Sequence, residues 1–135
     1  MTTSDNKQLL QRIFASLAEC DSRPFADAMA EDFRWTVTGS TTWSRTYEGK
    51  QAVLSELLAP LRARIKDRLR THAQRIIADG DYVAVEARGE NTTKAGKPYN
   101  NRYCFVFRLS GGRLKEVTEY CDTELVTSAL GDIAA

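Results

Sequence analysis

The stretch YNNRYCFVFRLSGGRLKEVTEY, residues 99–120, predicts two long β-strands joined by a tight turn. Aromatic and β-branched residues alternate with polar ones on both sides of a Ser-Gly-Gly segment, and a period of two is typical of a half-buried strand. Glycine accepts the positive φ that a tight hairpin turn requires. We therefore predict strands over Tyr99–Leu109 and Arg113–Thr123.

Two further long strands are predicted upstream of this hairpin. The same period of two runs through Leu69–Ala78 and Tyr82–Glu90, and the segments DGD and KAGK that separate the strands are turn signals. A shorter strand is expected at Phe33–Thr38, which is aromatic and β-branched. The C-terminal half is therefore expected to form antiparallel strands linked by hairpins.

The N-terminal half carries helical spacing instead. Apolar residues recur every three or four positions over Lys7–Ala18, and Phe25–Ala30 follows a capping signal and a proline. A third apolar helix is expected to end near Arg64, with Pro60 kinking or terminating it. Helices followed by a run of strands predict an α+β fold, in which three helices pack on one face of a curved antiparallel sheet. Alternate strand residues would then line a cavity.

The composition is that of a compact domain without a strong charge. At 135 residues, 42% hydrophobic and 27% charged, the chain is expected to form one domain over residues 1–135. A formal net charge of +1 provides little field for a phosphate backbone, so nucleic acid is not an expected partner. The basic residues near the middle of the chain are interpreted as a solvated face; they are Arg62, Arg64, Lys66, Arg68 and Arg70.

Several sequence signals are missing. Cys20, Cys104 and Cys121 are odd in number and far apart, which is typical of a reduced, cytoplasmic protein. The N-terminus has no apolar leader and no stretch approaches the ~18 apolar residues of a membrane span, so no membrane association is expected. Nucleotide-binding and metalloprotease motifs are also lacking, so neither a cofactor nor a metal site is predicted.

Five polar residues are candidates for catalysis. Glu86 and Arg88 lie two apart in a predicted strand and share a face, which either lines the cavity or meets solvent. Glu119 and Asp122 differ in parity, so at most one faces inward unless a bulge intervenes. Asp122 has an alternative role in binding backbone amides at the strand end. His72 is the one histidine and a secondary candidate for proton transfer, with a structural role favoured.

Aromatic residues are the candidates for ligand contact. They are Trp35, Trp43, Tyr47, Tyr99 and Tyr103. Most aromatic residues of this chain must belong to the core, but Trp43 lies in a polar loop and is expected to close the mouth of the cavity over an apolar ligand. Tyr103 is expected to offer a hydroxyl donor to a carbonyl group.

The element order also resembles a known superfamily. AEDFRW after the second helix, YEGKQAV at the third and EYCDT at the end resemble the nuclear transport factor 2-like superfamily, which implies a cone-shaped fold. The segment Trp35–Gly49, the 99–120 hairpin and the Asp-Thr pair that follows resemble its SnoaL-like branch. Relatives there include polyketide cyclases, ketosteroid isomerases and limonene-epoxide hydrolases.

The resemblance implies different chemistry for different relatives. The positions that carry the ketosteroid isomerase mechanism hold Ile13, Val37 and Tyr103 here, so that mechanism is not expected. Limonene-epoxide hydrolases use an acid, arginine, acid set, and Glu86 and Arg88 with a later acid offer these groups, although in the order Glu-x-Arg rather than Arg-x-Asp.

SnoaL-type cyclases place a catalytic acid near the end of the last strands. Asp122 or Glu119 matches this position, and the resemblance favours Glu119 as the inward residue. The chain is thus predicted to be an acid–base enzyme without a cofactor, acting on a small apolar carbonyl or epoxide compound. A ligand-binding module without catalysis is the alternative, and so is an interaction domain. A homodimer is expected through an exposed sheet face that includes Val85, Cys104, Val106 and Val117.

Overall fold

The structure is a computed structural model and describes residues 1–134. Its first helix, α1, spans Thr3–Leu17. The Thr2 hydroxyl accepts a hydrogen bond from the Asp5 backbone N–H, and the Asp5 carboxylate accepts one from the Thr2 N–H, both at 3.0 Å. This reciprocal cap satisfies two donors that a helix start leaves unpaired. It explains why α1 begins before the predicted start at Lys7.

The second helix, α2, spans Arg23–Ala28 and passes directly into strand β1, Met29–Val37. The predicted helix over Phe25–Ala30 is therefore wrong at its end. The Met29 backbone is extended, at φ −68° and ψ 127°. Because Met29 pairs with Leu114 in the sheet and is fully buried there, tertiary pairing overrides its helix propensity.

The third helix covers residues 50–64 and changes its hydrogen-bond register along its length. A helical turn, Lys50–Ala52, leads into the π-helical segment Val53–Leu58, and the α-helical segment Ala59–Arg64 follows. The helix continues through Pro60 to Arg64, so Pro60 does not terminate it, and the π-helical segment ends two residues before this proline. The wider π turn accompanies the burial of both Leu57 and Leu58.

Seven more strands and a short helix complete the chain. The strands are β2 (Thr46–Glu48), β3 (Ile65–Lys66), β4 (Thr71–Asp79), β5 (Tyr82–Gly89), β6 (Thr92–Thr93), β7 (Arg102–Ser110) and β8 (Arg113–Cys121). The C-terminal helix, residues 123–130, comprises the α-helical turn Thr123–Leu125 and the π-helical segment Val126–Leu130.

The main sheet has the strand order β2-β1-β8-β7-β5-β4, and β3 pairs with β6 in a separate ribbon. The expected α+β class with a curved sheet is confirmed. One pairing differs from the expectation, because β1 runs parallel to β8 while the other neighbours in the main sheet are antiparallel. A parallel neighbour is possible here because a long crossover, rather than a hairpin, separates β1 from β8.

The two faces of the main sheet differ in polarity. Side chains on the concave face are apolar and pack against α1; they include Val83, Val85, Ala87, Phe105, Phe107 and Val117. The convex face carries ion pairs such as Arg75 with Glu86. The predicted dimer face is therefore partly wrong: Val85 and Val117 are in the core, whereas Cys104 and Val106 alternate with buried phenylalanines and face outward. Among residues 1–134, every helix is too short or too polar to span a lipid bilayer.

Candidate functional site

A cavity of about 250 Å³ lies between the concave face of the sheet and the helices. It is larger than the apolar cavity of roughly 150 Å³ that can hold a benzene ring. Most of its lining is apolar and comes from all four helices, including Phe14, Leu17, Phe25, Leu57, Leu58, Leu61, Val126 and Leu130. A largely apolar cavity with a few polar groups is the usual form of a small-molecule site.

Glu119 is the carboxyl group inside this cavity. It lies on β8 opposite Phe105 of β7, and the register shift in this strand pair occurs earlier, near Arg108, so the inward alternation of Val117 and Glu119 is unbroken. The side chain is almost completely buried, with 9% of the residue exposed. The predicted inward orientation of Glu119 is thus the one the structure has.

Burial raises the pKa of Glu119 from its ordinary value of 4.5 to about 7. Removing the carboxylate from water disfavours its charged form, and this effect exceeds the opposing effect of hydrogen bonds from Cys121 and Trp35. The Trp35 indole N–H donates to Glu119 Oε1 at 3.0 Å. Near neutral pH, the carboxyl group can therefore both accept and release a proton.

Two tyrosines line the cavity close to this carboxyl group. Burial raises the pKa of both Tyr99 and Tyr103, so their hydroxyls keep their protons and can act as hydrogen-bond donors. The Asn101 amide donates to the Tyr99 hydroxyl oxygen at 3.2 Å. The Tyr103 ring stacks on Phe105 with ring centroids 4.8 Å apart, which fixes its orientation.

Asn101 is a polar residue that sequence reasoning missed. It is fully buried, and its side chain bonds the backbone N–H and C=O of Asp122 at 3.0 and 3.1 Å. It also accepts from the Arg102 N–H at 2.8 Å. These contacts tie the start of β7 to the end of β8. The predicted start of this strand at Tyr99 is wrong, since β7 begins at Arg102. The Asn101 backbone C=O still accepts a hydrogen bond from the Gly89 N–H of β5 at 2.8 Å.

Asp122 does not point into the cavity. It is exposed, and its carboxylate accepts a hydrogen bond at 3.2 Å from the Leu125 N–H, which caps the C-terminal helix. This is the structural alternative that the strand-end position suggested. Of the two acids considered for the final strand, only Glu119 lies in the cavity.

The other three catalytic candidates lie on the outside of the sheet. Glu86 pairs with Arg75, and Arg88 is solvent-exposed. His72 meets the carboxylate of Glu90 at 2.7 Å. Of the two placements left open for Glu86 and Arg88, the structure has the one that meets solvent, because the apolar residues that alternate with them face the helices instead.

The aromatic candidates divide into cavity and core. Trp35 and Trp43 line the cavity, whereas Tyr47 is buried outside it and donates through its hydroxyl to the Trp43 C=O at 2.8 Å. Trp43 is itself buried, although it lies in a polar loop, because its indole N–H donates to the Gly131 C=O at 2.8 Å. The Arg64 guanidinium lies 4.9 Å from the Trp43 ring centroid.

Arg64 adds to this contact between the loop and the C-terminal segment. Its guanidinium donates to the backbone C=O groups of Leu130, Asp132 and Ile133 at 2.7 to 3.1 Å. The segment is thereby held across one side of the cavity.

Within the described part of the chain, no group of three or more His, Cys, Asp or Glu side chains is arranged to hold a metal ion.

Comparisons with known proteins give one family match and several matches in fold. The sequence model of the SnoaL-like domain matches residues 10–117. No curated protein matches the chain. A candidate SnoaL-like polyketide cyclase from Jannaschia sp. CCS1 is similar in structure, with TM-score 0.76 and 17% identity over 95% of this chain and 92% of that one.

Two further solved structures are similar over nearly their whole length. A candidate isomerase from Bacillus subtilis has TM-score 0.78 and 20% identity, over 97% of this chain and 96% of that one. A nuclear transport factor 2-like protein of unknown function from Burkholderia pseudomallei has TM-score 0.79 and 19% identity, over 93% and 97%. At these identities the likeness concerns the fold.

Proposed function

The chain belongs to the SnoaL-like domain family, and on that premise we propose that it is an acid–base enzyme in which Glu119 moves a proton on a small apolar carbonyl compound. The observation that carries the proposal is a carboxyl group of pKa about 7 inside an apolar cavity. A general base works best when its pKa lies near the operating pH. Burial is the usual means of raising a catalytic carboxyl to that range.

The proposed step is removal of a proton from the carbon next to the carbonyl group. The C–H bond breaks, its proton passes to the Glu119 carboxylate, and its electron pair forms the carbon–carbon double bond of an enolate. Negative charge then develops on the carbonyl oxygen, and a hydroxyl donor from Tyr99 or Tyr103 stabilises it. Where the compound also carries a carbon–carbon double bond at the β,γ position, the intermediate is a dienolate, and return of the proton to its γ carbon completes an isomerisation. The step requires no cofactor.

Carbonyl chemistry is favoured over epoxide opening by the placement of the charged groups. The acid, arginine, acid arrangement of limonene-epoxide hydrolases would need Glu86 and Arg88 beside Glu119. Both lie on the convex face instead, and Glu86 is paired there with Arg75. The donors that share the cavity with Glu119 include two tyrosine hydroxyls, which suit a developing oxyanion.

Exchange of carbon-bound hydrogen tests the proposal directly. β-Tetralone, a small apolar ketone, would be incubated with the protein in heavy water, and loss of its proton signals next to the carbonyl followed by NMR. We expect the rate above the buffer rate to rise with pH around a midpoint near the Glu119 pKa. Glu119→Gln should lower it by about a hundredfold or more.

Glu31→Gln serves as the matched control, since Glu31 is exposed on β1. It should exchange the ketone at the wild-type rate. Equal exchange by wild type and Glu119→Gln would overturn the proposed role of Glu119. Ketone binding without any exchange would instead favour the alternative function of a ligand-binding module.

A further inference from the structure

The five basic residues near the middle of the chain do not form one solvated face. Arg64 bonds backbone carbonyls, and the Arg70 Nε–H donates to the Cys20 sulfur at 3.3 Å. Lys66 lies on the short strand β3 and is exposed. Only Arg62 and Arg68 line the cavity, and both are exposed, so they lie where the cavity meets solvent.

The charge at this mouth is positive. Arg62 contacts the Ser22 hydroxyl at 3.3 Å, and neither Arg62 nor Arg68 takes part in the ion pairs found within residues 1–134. Asp67 is the single carboxylate that lines the mouth, against two guanidinium groups. The nearby carboxylate of Asp21 is already engaged by Arg23, at 2.9 and 3.0 Å.

The buried part of the cavity has the opposite preference. Glu119 is the one charged side chain of the lining that is buried, and a second carboxylate placed beside it would oppose its ionisation. An anionic group on a ligand is therefore disfavoured at Glu119 and favoured at the mouth. The guanidinium fork matches the geometry of a carboxylate.

We propose that the ligand of this cavity is an amphipathic monocarboxylate, whose apolar body fills the cavity while its carboxylate meets Arg62 and Arg68 at the mouth. This proposal rests on the proposed function in one respect only, namely that the other end of the ligand reacts at Glu119. The carbonyl group then lies on the apolar body, and the carboxylate anchors the substrate without taking part in the reaction.

A pair of compounds that differ only in charge tests this assignment. Naphthylbutyrate and naphthylbutyramide share an apolar body, and their Kd values would be measured by isothermal titration calorimetry at low salt. Two partly solvated guanidinium contacts should make the acid bind about tenfold more tightly than the amide. The preference should shrink as salt is added, because exposed charges are screened.

Variants at the mouth provide the decisive comparison. In Arg62→Gln/Arg68→Gln the preference for the acid should fall to within about twofold, while amide binding stays as in wild type. Lys7→Gln/Arg12→Gln removes the same charge from exposed positions of α1 and should keep the full preference. Thermal unfolding by circular dichroism would confirm that both double variants are folded.

The outcomes separate this inference from the proposed function. Equal binding of acid and amide to wild type, an undiminished preference in Arg62→Gln/Arg68→Gln, or binding of neither compound would overturn the ligand class. The preference should persist in Glu119→Gln, because Glu119 is buried inside the cavity whereas Arg62 and Arg68 are exposed. If Glu119→Gln keeps the preference for the acid and exchanges the ketone hydrogens at the wild-type rate, the catalytic role of Glu119 is refuted and the ligand class is retained.

Discussion

Replacing Glu119 by Gln should change how the stability of the protein depends on pH. Glutamine has nearly the same shape, and its Oε1 can still accept the hydrogen bond from the Trp35 indole, but it cannot ionise. In wild type the folded state holds the Glu119 proton to about pH 7, whereas the unfolded chain loses it near 4.5. Between these values the folded state binds more protons, so wild-type stability falls as pH rises.

The size of the effect follows from the two pKa values. The interval from 4.5 to about 7, at 1.36 kcal/mol for each pKa unit, corresponds to about 3 kcal/mol of unfolding free energy. This stabilisation is fully present below pH 4.5 and is lost once the pH exceeds the folded pKa. Because the variant lacks the titrating group, its stability relative to wild type should improve by about 3 kcal/mol between about pH 4.5 and about pH 8.

Urea unfolding followed by tryptophan fluorescence would measure this difference at several pH values. Every other titrating group is common to both proteins, so its contribution cancels when the two curves are subtracted. The difference should change most steeply below pH 7 and level off above it. A flat difference, or one in which wild type gains stability with rising pH relative to the variant, would refute the assignment of Glu119 as a buried carboxyl with a raised pKa.

Three further predictions concern the surroundings of the cavity. Trp35→Phe removes a hydrogen bond to the ionised Glu119 and should raise its pKa above about 7, as read from the carboxyl carbon by NMR, whereas Trp43→Phe should leave that pKa unchanged. Asn101→Ala leaves buried backbone groups unpaired and should lower the free energy of unfolding by about 2 kcal/mol or more, measured in urea. The homodimer expected from the sequence stays a prediction: light scattering at micromolar concentration should give twice the chain mass, and a monomer would contradict it.

Much of the fold follows from local pattern. The period of two predicts the four long strands and the glycine-containing turns predict their hairpins, because burial of one sheet face imposes that alternation. Boundaries were less accurate where tertiary contacts decide. The strand pairing of Met29 ends α2 early. The strand β7 starts at Arg102 rather than at Tyr99, whose backbone N–H donates to Asn91 outside the main sheet. Neither effect has a periodic signal in the sequence.

The site was harder to predict because the core and the cavity share one face of the sheet. Sequence reasoning treated the polar face of β5 as a possible cavity wall, whereas the structure lines the cavity with the same apolar face that packs against the helices. Glu119 is a polar residue in that apolar face. The usable signal was its position two residues after Val117, which places both side chains on the same side of the sheet. Arg62 and Arg68 could not be separated from their basic neighbours, because their position at the mouth depends on tertiary packing: Arg62 lies within the third helix, and Arg68 lies in the bend after β3.

The contacts that hold the C-terminal segment against the cavity are made to its backbone and not to its side chains. Trp43 and Arg64 donate to the backbone carbonyls of residues 130–133, and of these positions only Gly131, at φ 71° and ψ −162°, has a backbone conformation that requires glycine. Val126 and Leu130, by contrast, contribute their side chains to the cavity wall. The position of this wall and its chemistry are thus specified by different atoms. Substitutions at these two residues offer a way to reshape ligand selectivity in directed evolution while the segment stays anchored.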